Sequence, residues 1–372
     1  MFEETCRVFR FSPEPGRRIL VVSDIHANLP YFRGLLEKVG FCQRDYLILD
    51  GDFLEKGEDS LGMLRFVMEL CKKGNCLPLR GNCDEWADAL SLPEAAGGHL
   101  RHYMDVFHRG LFWEMLLAVG VDPETFTTVA PIRAALEEKF GEEFRFLASL
   151  PHAIVTDREI FVHSGLRPDL PVEEQSVHTL TKFDNFRGAG YAFDKWVVVG
   201  HWPVVLYGQD RVCANPIIDR DRHIISIDGG CVLKDDGQLN ALILPESGCE
   251  DFSFVSYDPF PTARVLDGQE GSERSYYIRW GDSRVQVLER GEEFCRCRHV
   301  RTGYEMDILT RYLFTGEEFT GCNDCTDYVL PLCPGDEVSV VETCSRGYFV
   351  KHRGVSGWYY GRLEFPGGEK RL

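Results

Sequence analysis

Short apolar runs recur along the first 230 positions, and each one hands over to a polar loop. Ile19-Leu-Val-Val22 leads to Ser23-Asp24, Tyr46-Leu-Ile-Leu49 to Asp50-Gly51-Asp52, and Cys76-Leu-Pro-Leu79 to Arg80-Gly81-Asn82. Further on, Ile160-Phe-Val162 leads to His163, Trp196-Val-Val-Val199 to Gly200-His201, and Ile224-Ile-Ser-Ile227 to Asp228-Gly229-Gly230. Runs of this length with no polar alternation predict strands buried on both faces. Helical spacing separates the first three: Tyr31 to Val39, and Ser60 to Lys73 with Leu61, Leu64, Val67, Met68 and Cys71 on one side. Strands alternating with helices give an α/β plan, and polar loops after each strand gather at one edge of such a sheet.

Residues from about 91 to 150 read mostly as helix and interrupt the strand series, which predicts a helical insertion over the loops. Its His99, His102, Tyr103, Phe107, His108 and Trp113 are candidates for a substrate wall, with ordinary amphipathic packing as the alternative. After Pro245 the pattern changes. Glu246-Ser-Gly-Cys-Glu-Asp251 reads as a boundary, and short alternating stretches separated by turns follow. The expected organisation is a catalytic domain over 1–248, a β-rich region over 249–330 and a small β module over 331–372.

Composition narrows the function. The 372 residues suffice for two or three domains, and their balance of charged and apolar residues is globular. A formal charge of −18 repels polyanions at long range, which argues against nucleic acid and anionic membranes as partners. A phosphorylated substrate is compatible only with local positive charge, which bound metal ions can supply. There is no apolar run of membrane-spanning length, and Met1-Phe-Glu-Glu-Thr-Cys6 lacks a basic then apolar leader pattern, so a cytoplasmic location with reduced thiols is expected for the fourteen cysteines.

Asp24-Ile-His26, Gly51-Asp52, Gly81-Asn82-Cys83-Asp84, His163 and Gly200-His201 follow one another at successive strand ends. In this order they resemble the calcineurin-like metallophosphoesterases, and within them the branch of serine/threonine phosphoprotein phosphatases and symmetrical diadenosine tetraphosphatases. Leu79-Arg-Gly-Asn82, Val162-His-Ser-Gly-Leu-Arg-Pro168, Ile227-Asp-Gly-Gly-Cys-Val232 and Gln238-Leu-Asn-Ala-Leu242 echo that branch, and the resemblance runs from about residue 18 to 245. It implies a four-layer α/β/β/α sandwich and a pair of divalent ions, with Mn favoured and Fe or Zn as alternatives. Asp24, His26 and Asp52 would hold one ion, and Asp52, Asn82, His163 and His201 the other. Oxygen and imidazole donors suit these metals independently of the resemblance. Two ions about 3.5–4 Å apart can lower the pKa of a bridging water and neutralise the entering and leaving oxygens of a phosphoryl group.

The chain departs from the branch at three places. Where the family has a His after the motif Asn and an Asp paired with it, this chain has Cys83 and Glu55. A thiol is a poor proton donor near neutrality, so Cys83, Glu55 and Asp84 as the catalytic set imply substrates with good leaving groups. Cys83 as a merely small buried residue is the alternative. The Gly-Asn-Cys-Asp string is also similar to that of small bacterial phosphodiesterases. Lys56 stands in for a phosphate-gripping Arg, without the bidentate fork, and the Trp-x-Arg pattern expected near Phe183-Asp-Asn-Phe186 is missing, leaving Arg80, Arg167 and Arg187 as candidates.

Pro334 to Val341, Gly347 to Gly354 and Gly357 to Leu363, with Gly357-Trp358 before the last strand, together resemble a bacterial SH3-like barrel, which implies a protein partner. Cys295-x-Cys297 with Cys322-x-x-Cys325 is a candidate zinc set, with plain reduced thiols as the alternative. The expected activity is phosphomonoester hydrolysis, including phosphoprotein. Dinucleoside polyphosphate or phosphodiester hydrolysis is the alternative within the class, and a non-catalytic scaffold the alternative outside it.

Overall fold

In the strand Ile19–Val22 (β2), Ile19 and Val21 point into one apolar core while Leu20 and Val22 point into another. The same split recurs in Tyr46–Asp50 (β3), whose Tyr46 and Ile48 join the first core and Leu47 and Leu49 the second. Successive strand side chains leave on opposite faces, so a run without polar alternation demands cover on both sides. Here that cover is a second sheet on one side and helices on the other. The computed structural model describes residues 6–86, 104–316 and 319–366.

The remaining strands of the sandwich are Val8–Arg10 (β1), Cys76–Leu79 (β4), Ala153–Val155 (β5), Glu159–Val162 (β6) and Trp196–Val199 (β7). Val212–Cys213 (β8) belongs elsewhere, and Ile217–Asp219 (β9), Ile224–Ser226 (β10), Leu239–Leu244 (β11) and Ser253–Tyr257 (β12) complete the set. One sheet has the order β12-β11-β2-β3-β4 and the other β1-β5-β6-β7-β10-β9. Between them lies the core of Ile19, Val21, Ile48, Phe161, Val198, Ile225 and Leu242. Helices Leu29–Lys38 (α1), Ser60–Cys71 (α2), Leu111–Ala118 (α3) and Arg133–Ser149 (α4) supply Phe32, Leu35, Met63, Leu64, Val67, Phe112, Met115 and Phe140 to the outer face of the first sheet. The short helix Val177–Thr181 (α5) helps cover the second sheet, where Leu180 and Phe186 pack on Val162, Val197 and Val199. This is the four-layer arrangement that the resemblance implied.

Both long early helices begin where the sequence supplies a cap. Asn28 Oδ1 accepts the Tyr31 N–H at the start of α1, and Asp59 Oδ1 accepts the Gly62 N–H at 2.8 Å at the start of α2. The expected insertion is helical at α3 and α4, while its first part, with His99, His102 and Tyr103, lies outside the described residues.

The chain forms two compact units. The first holds residues 1–203, 216–233 and 237–257, so the edge strand β12 still belongs to the sandwich. The second unites residues 258–372 with two excursions of the chain, 204–215 and 234–236. Its largest sheet joins Glu337–Cys344, Gly347–His352, Val355–Tyr359 and Leu363–Glu364 to Thr262–Val265 and to β8, so strands from well before residue 331 complete it. A three-stranded sheet of Val285–Glu289, Phe294–His299 and Glu305–Leu309 carries Cys295 and Cys297 into an apolar cluster with Cys322 and Cys325. The Cys322 and Cys325 sulfurs are 3.8 Å apart, but no three sulfurs of this cluster lie within 4.8 Å of one another. All fourteen cysteines are free. Among the described residues, no helix is long and apolar enough to cross a membrane.

Candidate metal centre

β2, β3 and β4 run parallel in one sheet, and β6, β7 and β10 run parallel in the other. The polar loops therefore leave from the carboxyl ends of both sets, the usual place for a site in sheets of this kind. Loop 24–27 lies against loop 51–53 through Asp24 N–H to Gly51 O (3.1 Å), His26 N–H to Asp52 O (3.0 Å) and Ala27 N–H to Phe53 O (2.9 Å). The His201 N–H donates to Asp24 Oδ2 at 2.9 Å, which ties a loop of the second sheet to the first strand-end motif.

Such close loops force unusual backbone. Among the described residues, twelve non-glycine residues have positive φ, and six of them are Asp24, His26, Asp52, Glu55, Lys56 and His201. Left-handed conformations cost energy in non-glycine residues and concentrate where a structure positions functional groups. The glycines of the motifs have a steric reason. A Cβ on Gly81 would lie 2.1 Å from Asp52 Oδ1, and one on Gly200 would lie 2.2 Å from Asp24 Oδ2.

The donor atoms converge as two groups that share Asp52. His26, Asp52 and Cys83 offer donor atoms within 4.8 Å of one another, and so do Asp52, His163 and His201. Asp24 adjoins the first group, with Oδ1 3.9 Å from His26 Nε2. Asn82 adjoins the second, its amide pointing at Thr181 O (3.0 Å) and at His201 Nδ1 (2.8 Å).

The imidazoles are aimed by their other nitrogens. His163 Nδ1 meets Asp50 O at 2.9 Å, leaving Nε2 3.3 Å from Asp52 Oδ1, and His201 Nε2 meets Asp184 Oδ1 at 2.8 Å, leaving Nδ1 for the site. This is the support that metal-binding histidines ordinarily receive. Burial pushes His26 down to about 4, and burial followed by the neighbouring His163 does the same to His201, so both rings are neutral near pH 7. Burial opposes charge on His163 as well, but the Asp52 carboxylate outweighs it and raises the ring's pKa, while His163 holds Asp52 far below the carboxylate range against its own burial. Burial, then Asp228 and Asp52, push Asp24 well up. Crowded buried carboxylates beside a buried neutral imidazole fit cations in this space.

Two residues of the expected catalytic set hold the loops through backbone amides. Asp84 is buried, and its carboxylate accepts N–H groups from Asp52 (2.8 Å), Leu54 (3.1 Å) and Gly81 (2.9 Å). Glu55 is also buried, and Oε1 accepts the Leu111 N–H at 2.8 Å at the start of α3. Glu114 of α3 returns the contact, accepting Ser60 and Leu61 N–H at 2.8 Å each at the start of α2. Cys83 alone of the three lies in the donor cluster, and burial together with Asp52 raises its thiol pKa further.

Of the expected phosphate-binding cations, Lys56 adjoins the site, near enough to influence both His26 and Cys83, with Nζ 4.2 Å from the Phe107 ring centre. Arg167 forks onto Asp169 at 3.0 and 2.6 Å, Arg187 pairs with Asp219 at 3.1 Å, and Arg80 is buried at the end of β4. His108 pairs with Glu124 at 3.2 Å and stacks edge-on with Trp113. Sequence reasoning missed the roles of Asp184 and the Asp50 carbonyl, since both act on histidines distant in the chain or through a main-chain oxygen.

The calcineurin-like phosphoesterase profile matches residues 17–221, which spans this entire constellation. The chain belongs to that family. It is therefore a hydrolase of phosphate ester or anhydride bonds. Its relatives include an asymmetrical bis(5'-nucleosyl)-tetraphosphatase of Halalkalibacterium halodurans, 25% identical over 61% of this chain and 89% of that protein. A symmetrical bis(5'-nucleosyl)-tetraphosphatase of Nitrosomonas europaea is 27% identical over 51% of this chain and 62% of its own length. Among solved structures, a Saccharomyces cerevisiae serine/threonine phosphatase superposes with a TM-score of 0.42 at 12% identity, over 68% of this chain and 83% of that one.

Proposed function

We propose that this phosphohydrolase cleaves phosphoanhydrides, with dinucleoside polyphosphates as the substrate class, at a pair of divalent ions. The observation that carries the reading is the sharing of Asp52 by two donor groups. Asp24, His26 and Asp52 would hold one ion, and Asp52, Asn82, His163 and His201 the other. Such a pair supplies Lewis-acid polarisation of a phosphoryl oxygen and an acidified water near neutral pH.

The chain's own residues do the rest. Asp50 O and Asp184 fix which imidazole nitrogen faces the site, and Asp84 holds the Asp52 and Gly81 loops in register. Lys56 adds positive charge next to the anionic substrate. Glu55 sits at the start of α3, and Cys83 is a neutral thiol, so neither is placed as a strong proton donor. A nucleotide phosphate leaves readily without protonation, whereas a serine or threonine alkoxide does not. The names of the relatives point to the same substrates.

The deciding experiment compares Mn-loaded protein on diadenosine tetraphosphate, aryl phosphate and phosphopeptides, with Asp52→Asn as control. Turnover of the tetraphosphate and aryl ester well above that of the phosphopeptides is expected, and loss of it in the variant. Preferential cleavage of phosphopeptides would restore the phosphoprotein reading, and no turnover of any substrate would favour a binding scaffold.

A further inference from the structure

Cys83 occupies a place in the site that its motif does not explain. Its backbone N–H donates to Asp52 Oδ1 at 2.8 Å, which fixes the residue beside the shared carboxylate. Its sulfur then lies within 4.8 Å of the donor atoms of both His26 and Asp52, in the group that does not include His163 or His201. Donors to a common ion stand roughly 2.0–2.3 Å from it, so their mutual separations fall inside that limit. His26 is buried beside Cys83 and Asp52, and its Nε2 lies 3.9 Å from Asp24 Oδ1, so an imidazole, a thiol and carboxylates crowd one space.

The geometry points to Cys83 Sγ as a direct donor to the ion that His26 and Asp52 would hold. This rests on the two-ion reading above. Coordination displaces the thiol proton to solvent and leaves a thiolate on the metal. One sulfur among oxygen and nitrogen donors makes that position softer than the one served by Asn82, His163 and His201. The first position then favours Zn²⁺, Fe²⁺ or Co²⁺, while the second takes Mn²⁺ as readily. The two positions would then select unlike ions, and the difference would originate in a residue next to the motif Asn.

The test uses the full chain stripped by chelation and titrated with Co²⁺. Wild-type protein should develop a near-ultraviolet sulfur-to-cobalt charge-transfer band. Cys83→Ser and Cys83→Ala should lose it while still binding cobalt, and His26→Ala should lose it with the thiol intact. Any band from the cysteines of the second unit would persist in all three variants. Zn²⁺ affinity should fall roughly 10–100-fold in Cys83→Ser, with little change for Mn²⁺. Circular dichroism checks that each variant is folded. Two bound cobalt ions per chain with a spectrum unchanged by Cys83→Ser would overturn the assignment and leave the two-ion reading standing. Failure of the wild-type protein to bind cobalt at all would overturn both.

Discussion

The Asp84 carboxylate accepts the Asp52 N–H at 2.8 Å, so the residue that both donor groups share is held from behind by an acid with no place among the donors. The same carboxylate takes the Leu54 and Gly81 N–H groups. Asp84→Ala would leave three buried donors without this acceptor and should cost roughly 3–5 kcal/mol. Asp84→Asn keeps an acceptor oxygen and should lose less. Urea unfolding monitored by circular dichroism measures both, and equal stability of Asp84→Ala and wild type would contradict the positioning role.

Gly81→Ala should disturb the loop that carries Asp52. The backbone at φ −93° admits alanine, yet the added methyl would sit 2.1 Å from Asp52 Oδ1 and 2.4 Å from the Asp52 backbone nitrogen, so this loop must shift. Isothermal titration with Mn²⁺ should show affinity reduced by roughly tenfold or more, and thermal unfolding should show a lowered Tm; wild-type affinity would contradict the close approach.

Glu114 holds the start of α2 from the insertion, while Glu55 holds the start of α3 from the metal loop. Removing a helix-capping acceptor costs about 1–2 kcal/mol, and Glu114→Ala should lose that much. Because α3 and the loop after Asp52 are linked through these contacts, KM for the polyphosphate should change more than kcat. A kcat loss with KM unchanged would place Glu114 in the chemistry instead.

Ion removal should destabilise the protein. Chelation leaves the buried carboxylates of the site without cations and should lower Tm. Mn²⁺ at about 100 times its Kd should add about 2.7 kcal/mol. Calorimetry with and without chelator, on wild type and Asp52→Asn, reads this directly, and the variant should respond much less.

Asp45 gives a pH signature away from the site. Burial raises its pKa, but the Arg18 guanidinium at 3.0 and 2.8 Å and the Cys42 N–H at 2.8 Å outweigh it and hold the carboxyl below its usual range. A depressed folded-state pKa contributes stability that is complete above the unfolded value of about 3.9 and disappears as pH falls through the folded one. Asp45→Asn should therefore be less stable than wild type at pH 6, with the gap closing as acid is added. A gap independent of pH would exclude the ion pair as its source.

The strand ends were legible because buried runs and the loops after them are local patterns. Asp24, His26, Asp52, Asn82, His163 and His201 could be named from order alone, and the same order carried the sandwich fold. The loop-holding contacts of Glu55 and Asp84 were not legible because their partners are backbone amides. Leu111 lies 56 residues from Glu55, and no side-chain pattern marks an N–H as available. The Cys295, Cys297, Cys322 and Cys325 spacing brought four thiols into one cluster but could not show that three sulfurs fail to converge.

By itself, then, the sequence determined which residue types stand at which strand ends, since alternating burial and helix caps are written within a few residues of one another. Only the tertiary structure decided that Cys83 joins His26 and Asp52, and that Asp184 and Asp50 aim the imidazoles. It also decided that the chain after Pro203 and after Leu233 departs into the second unit before returning. These are contacts between residues tens to more than a hundred positions apart, whose geometry is fixed by the packing of two sheets and not by any interval along the chain.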